Sequence, residues 1–181
     1  MKSKPNILLG ITGSVATIKV NELNDLLCSW ANVKIIATKS SLNFINKNEN
    51  KLAIITDENE WNTWSEIGDQ VLHIELRKWA DIFCIAPLSA NTLAKLDHGL
   101  SDNLLTCVAR AWDFKKPIYI CPAMNTFMWN HPITNTQLTQ LKSWGYEIID
   151  PIEKELACGD IGLGAMENPE VINDLLKKHI M

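Results

Sequence analysis

The sequence predicts an α/β protein: one domain, residues 1–181, built on a doubly wound parallel sheet with helices on both faces. Three observations carry this. Short, continuously apolar runs recur along the chain, helix-patterned segments separate them, and glycine, proline and hydroxyl residues cluster where the runs end. An apolar run without polar alternation marks a strand buried on both faces, the environment of a parallel sheet in a layered α/β fold. At 181 residues the chain is long enough to bury a substantial core.

Taken in order, Asn6–Ile11 is a first strand, and Gly13-Ser14 turns it into a helix over 15–30. Residues 33–38 form a second strand, followed by Lys39-Ser40-Ser41 and a short helix carrying Phe44. Residues 52–56 are a weaker strand, and 57–68, acidic and carrying Trp61 and Trp64, are a surface excursion. Residues 73–80 are a short helix and 82–86 a strong strand, after which Pro87 to Thr92 open another helix. A helix over 102–112 has Leu104, Leu105, Val108 and Ala111 at helical spacing. Strand 117–121 ends at Pro122. A helix over 134–144, a strand over 146–149 and a helix over 169–179 complete the set. The architecture is an open three-layer sandwich, Rossmann-like or flavodoxin-like, in which ligands sit beyond the carboxyl ends of the strands.

Composition narrows the function. The chain is 46% hydrophobic and 21% charged, with a formal net charge of −4 and no basic block. Nucleic acid and anionic membrane surfaces are therefore poor partners, and no apolar stretch reaches membrane-spanning length. The apolar run after the first lysines is broken by Gly10 and Gly13, so it reads as a strand and not a secretory leader. Five cysteines without a CxxC pair suggest neither a zinc site nor a disulfide framework. We read Cys28, Cys84, Cys107 and Cys121 as small core residues, and the protein as cytoplasmic and reduced.

The chemistry-bearing residues fall at strand ends. Gly10-Ile11-Thr12-Gly13-Ser14-Val15 is a glycine-hydroxyl turn leading into a helix, and Thr38, Ser40 and Ser41, then Ser89, Asn91 and Thr92, repeat the theme. Each suits ordinary turn and cap chemistry; three of them converging on one sheet edge also suit a mononucleotide phosphate and its polyol chain. His73 starts a helix, where the dipole disfavours imidazolium, so it is either a neutral base or a satisfied core or capping histidine. Asn125 follows Pro122-Ala123-Met124 at a strand end and offers amide donors and an acceptor, or a turn. Cys158 differs from the other cysteines in lying among glycines and charges (Ala157-Cys158-Gly159-Asp160-Ile161-Gly162-Leu163-Gly164-Ala165-Met166), the setting of a reactive thiol on a loop or flap.

Several of these segments together resemble the phosphopantothenoylcysteine decarboxylases, members of the homo-oligomeric flavin-containing cysteine decarboxylase family. The resemblance runs through Gly13-Ser14-Val15-Ala16, His73-Ile74-Glu75-Leu76-Arg77, Ala86 to Thr92, Asp102-Asn103-Leu104-Leu105, Pro122 to Asn125 and the Cys158 segment. It implies FMN held by Thr12, Gly13, Ser14, Ser40, Phe44, Ser89, Ala90, Asn91, Thr92 and Ala123, and no metal. It implies His73 as catalytic base, Asn125 as the group recognising the substrate carboxylate, and Cys158 as proton donor on a flap lined by Ala157 and Met166. The family's reaction converts 4'-phosphopantothenoylcysteine to 4'-phosphopantetheine through a thioaldehyde and an enethiolate, in homotrimers or higher assemblies of trimers with flavin sites between subunits. Relatives with other roles inhibit a protein phosphatase, decarboxylate peptide C-terminal cysteines or prenylate flavin. His73, Asn125 and Cys158 occurring together favour the first activity.

Overall fold

The six apolar runs form one sheet: β1 (Asn6–Ile11), β2 (Asn32–Ala37), β3 (Ile54–Ile55), β4 (Ile82–Leu88), β5 (Ile118–Pro122) and β6 (Tyr146–Ile148). In the computed structural model, which describes residues 4–45, 52–155, 159 and 161–180, their order is β3-β2-β1-β4-β5-β6. Every neighbouring pair is parallel, β1 running in register from Asn6 opposite Asn32 to Ile11 opposite Ala37.

Both faces are covered. Successive strand residues point to opposite sides, so Ile7, Leu9, Ile11, Ile82 and Cys84 pack under α1 (Val20–Cys28) and α8 (Pro169–Ile180), against Leu23, Leu27, Ile172 and Leu176. Leu8, Phe83, Ile85 and Ile120 point the other way, into a core with α3 (Leu72–Trp79), α4 (Ala90–Asp97), α5 (Leu104–Arg110) and α7 (Pro132–Ser143). Fully burying each such side chain stabilises by about 1.5–3 kcal/mol.

The chain first lays strands outward on one side of β1, then crosses to build β4, β5 and β6 on the other. The connections leaving β1 and β4 therefore diverge, and a crevice opens between them at the carboxyl edge. Helices α3 and α5 each run back before the strand that follows them, which puts their N-termini at that same edge.

Three expectations are corrected. The segment from residue 57 is the exposed surface excursion expected, but its first part, Asp57–Thr63, is a helix, α2, whose start is tied by Thr56 N donating to Asn59 Oδ1 at 2.8 Å. The helix expected over 15–30 opens as a 3-10 turn, Val15–Lys19, before α1. Within the segment read as a loop or flap, Ile161–Ala165 is a strand, β8, paired antiparallel with the preceding β7 (Ile152–Glu155). A four-residue helix, α6 (Thr126–Trp129), also follows β5.

Candidate active site

An open cleft of about 690 Å³ lies between the carboxyl ends of β1 and β4. The turn after β1 forms one wall. Thr12 is fully buried, its Oγ1 donating to Pro87 O at 2.8 Å and accepting from Ser89 N at 2.7 Å, so one hydroxyl bridges the two diverging connections. Its carbonyl accepts from Thr17 Oγ1 at 3.0 Å, holding the 3-10 turn down, while Ser14 caps that turn. Gly13 leaves no room for a side chain: a Cβ there would sit 2.5 Å from Ser40 Oγ. Backbone thus reaches the cleft directly, with the loop after β2 packed behind it.

The ends of β4 and β5 supply the floor and the far wall. Ser89 caps α4, its Oγ accepting from Thr92 N at 3.3 Å, so the helix starts beside the cleft with Ala90 and Asn91 on its lining. Ala123 N donates to Leu88 O at 2.9 Å, keeping the segment after β5 in line with β4. Asn125 Oδ1 accepts from Phe127 N at 2.8 Å as the cap of α6, which fixes the rotation of its amide.

The glycines near the chain's end have their explanation here. Met124 N donates to Gly164 O at 2.9 Å, so β8 presses on the very segment that carries Asn125. Gly164 holds a φ of 145°, and a Cβ there would run into the Met124 carbonyl oxygen. At Gly162 it would meet Thr126 Oγ1 at 2.6 Å. Two motifs far apart in sequence are one wall because only glycine permits that approach.

His73 stands elsewhere on the edge. It is the second residue of α3 and does not border the cleft within the chain. Its Nδ1 lies 2.5 Å from Glu60 Oε1 of α2, and its backbone N–H donates to the same oxygen at 3.4 Å. Nearby, Asp57 Oδ1 accepts from Leu104 N at 2.7 Å, so α2 contributes one carboxylate to the first turn of α5 and another to that of α3. Cys107 of α5 completes the cluster, its Sγ within 4.8 Å of the Glu60 and His73 ligand atoms. It is half-buried and donates to Ser101 O at 3.3 Å, not the core residue expected. Burial first, then the carboxylates of Glu60, Asp57 and Asp102, push its thiol pKa up, so it stays protonated near neutrality. The 2.5 Å His73–Glu60 spacing is that of a hydrogen bond; two ligands on tetrahedral zinc stand about 3.3 Å apart, given metal–ligand bonds of about 2.0–2.1 Å.

Of the residues expected at the site, Gly13, Ser14, Phe44, Ser89, Ala90, Asn91, Ala123, Asn125 and Met166 line the cleft. Thr12 and Thr92 are buried behind it as ties, and Ser40 backs Gly13. Ala157 and Cys158 lie outside the described residues. Sequence reasoning missed Lys19 and Lys154, both on the lining. Burial and then the neighbouring Lys154 lower the Lys19 pKa against the opposing pull of Glu22, Glu170 and Glu167, and both lysines stand on the cleft rim. The capped α4 terminus and the backbone at Gly13 suit a phosphate, and the apolar lining from Val15, Phe44, Met124 and Met166 suits a flat ring.

The flavoprotein family profile matches residues 1–181. A phosphopantothenoylcysteine decarboxylase from Oryza sativa subsp. japonica is 54% identical over 177 residues, covering 97% of this chain and 80% of the rice protein. The Mus musculus protein of that name is 47% identical over 171 residues, covering 93% of this chain and 84% of its own. Among solved structures, a PPC decarboxylase variant complexed with pantothenoylaminoethenethiol superposes with a TM-score of 0.95 at 51% identity, covering 98% of both chains. An FMN-binding protein gives a TM-score of 0.91, also at 51% identity, covering 98% of this chain and 97% of its own. No helix among the described residues is long and apolar enough to cross a membrane. With its full length matched and its six-stranded α/β layers shared with these structures, the chain belongs to the flavoprotein family, alongside the phosphopantothenoylcysteine decarboxylases.

Proposed function

We propose that this chain is an FMN-dependent phosphopantothenoylcysteine decarboxylase, a carboxy-lyase of coenzyme A biosynthesis that converts 4'-phosphopantothenoylcysteine to 4'-phosphopantetheine. The observation that carries the reading is the joined wall at the switch-point cleft, where β8 is hydrogen-bonded to the segment bearing Asn125. The names of the relatives agree with it. Gly13, Ser14, Ser89, Ala90 and Asn91 would hold FMN, with Thr12, Ser40 and Thr92 shaping their backbone and Phe44 and Ala123 against the ring system. When bound, FMN supplies a reversible two-electron sink, letting the CH₂–SH carbon reach the thioaldehyde level from which CO₂ can leave.

The chain's own groups do the rest. Asn125, its rotation set by the α6 cap, donates to the substrate carboxylate and orients the bond to be broken. His73 takes the thiol proton as the neighbouring carbon is oxidised. Cys158, between β7 and β8 in sequence, returns a proton as the enethiolate is reduced to product, and by the resemblance Ala157 and Met166 line its flap. Lys19 and Lys154 give the anionic substrate a cationic rim.

His73 and the cleft do not meet within one chain, and the family resemblance accounts for this with a homotrimer in which each site is shared. Exposed apolar residues near both halves, Trp61 on α2, Ile67 beyond it, and Val15 and Ile18 on the cleft rim, are surface a neighbouring subunit would cover. We place this single-domain protein in the cytoplasm.

The test is incubation of the purified protein with phosphopantothenoylcysteine, following products by mass. A yellow protein that releases 4'-phosphopantetheine with loss of one CO₂ is the expected result. A yellow protein that leaves this substrate intact, or one that takes up no FMN, contradicts the reading.

A further inference from the structure

We propose that Glu60 is a positioning residue for His73, selecting the tautomer in which Nδ1 carries the proton and Nε2 is the base. The proposal rests on the reading of His73 as the base. Its observation is separate: the Glu60 carboxylate lies 2.5 Å from Nδ1 and also accepts the His73 backbone N–H at 3.4 Å.

An ionised carboxylate only accepts hydrogen bonds, so the ring nitrogen facing it must be the protonated one, and the lone pair of the neutral ring is confined to Nε2. The second contact, to the backbone of the same residue, fixes the carboxylate against the α3 terminus, so side chain and backbone are held by one group. The surroundings enforce this. The Glu60 side chain is only 14% exposed and that of His73 26%, which limits competition from water. Asp57, one turn earlier, anchors α2 by accepting from Leu104 N at 2.7 Å, so Glu60 is carried on a helix already pinned to α5.

Cys107 is the remaining neighbour. With its thiol pKa raised by burial and by the carboxylates around it, it neither supplies an anion nor competes as a base. When His73 accepts a proton at Nε2, the resulting imidazolium stands beside Glu60, a short ion pair in a partly desolvated corner that stabilises the charge formed in that step. The α3 dipole opposes a positive charge at this position, and the carboxylate offsets it.

The experiment uses the FMN-loaded protein with ¹⁵N-labelled histidine. In the wild type at about pH 8, where an ordinary imidazole is neutral, the His73 signals are expected to report a protonated Nδ1 and a bare Nε2. In Glu60→Gln, whose amide can donate as well as accept, both tautomers are expected. kcat should fall roughly 100-fold, with KM and FMN content near wild type. Glu60→Asp, which keeps the carboxylate, is expected to keep the wild-type tautomer. A protonated Nε2 in the wild type overturns the proposal, whether or not any variant folds. So does a Glu60→Gln enzyme with wild-type kcat and an unchanged tautomer while His73→Asn is inactive. If His73→Asn itself turns over normally, the reading of His73 as base has failed instead.

Discussion

The cleft between β1 and β4 and the corner where α2 meets α3 and α5 occupy one edge of the same sheet, yet they are built by opposite means. The cleft is made of turns: small residues, hydroxyls used to tie backbone, and glycines where chain segments touch. The corner is made of side chains, with Asp57, Glu60, His73 and Cys107 brought together from three helices. A turn-built surface binds, since its amides and caps have fixed positions, with Lys19 and Lys154 the charged groups on its rim. A side-chain cluster moves protons, since its groups differ in charge and in the state they hold. The difference fits the proposed division, with cofactor binding in the first region and the His73 proton transfer in the second.

The sharpest way to separate the regions is to remove the base. His73→Asn is expected to lower kcat by about 10²–10⁴-fold, the usual range for a positioned general base, while flavin content is retained because His73 is absent from the lining of its own chain's cleft, where the residues expected to hold FMN stand. Steady-state kinetics and the flavin absorbance of one preparation measure both; loss of FMN with the activity would merge the two regions.

A smaller effect probes the cleft's backbone. Thr12→Val removes the hydroxyl joining Pro87 O and Ser89 N in a fully buried position and leaves both groups unpaired. Stability should fall by about 2–3 kcal/mol, a Tm decrease on the order of 4–12 °C, whereas Thr12→Ser, which keeps the hydroxyl, should cost less than about 1 kcal/mol. Thermal unfolding checks it, and equal losses for the two variants would show that the methyl group and not the bridge matters.

The smallest effect lies on the outer surface before α5. Asp102 pairs with Lys95 at 2.5 Å, and chiefly that hydrogen bond lowers its pKa. A depressed carboxylate stabilises fully above its unfolded pKa, and the contribution is lost as pH falls through the lower, folded one. The Asp102 side chain is 59% exposed, so Asp102→Asn should cost only about 0.5 kcal/mol near neutral pH. That cost should vanish as the medium is acidified below the usual carboxylate range, which paired unfolding curves at two pH values would show.

The same division explains what could be read from the chain. β1, β4, β5 and the caps at Ser14 and Ser89 were legible because their signals are local: apolar runs, a glycine beside a hydroxyl, a serine before a helix. Asn125 and His73 stood out by chain position, and the resemblance supplied their roles. Helix α2 was missed because it has seven residues and no apolar face; its anchors, Leu104 and His73, lie 47 and 13 residues away. A threonine three residues before Asn59 and the acidic first turn of Asp57, Glu58 and Glu60 were the local signals of its start. The β7–β8 hairpin escaped for a similar reason. β7 reads Ile-Glu-Lys-Glu and β8 is broken by Gly162 and Gly164, which strand propensity penalises, and contact with the Asn125 segment is what holds it. Lys19 and Lys154 carry no motif; only the fold puts them on one rim.

The central claim is that one protomer's cleft works with another's His73, and mixing inactive variants tests it most directly. His73→Asn and Asn125→Gln, each inactive alone, are co-expressed and isolated as mixed assemblies. If sites are shared across a heterologous interface, about a quarter of them in random mixtures combine an intact cleft with an intact histidine, and decarboxylation returns to roughly that level. Mixed assemblies that bind FMN but stay as inactive as their parents would place both groups in one subunit's site and contradict the account.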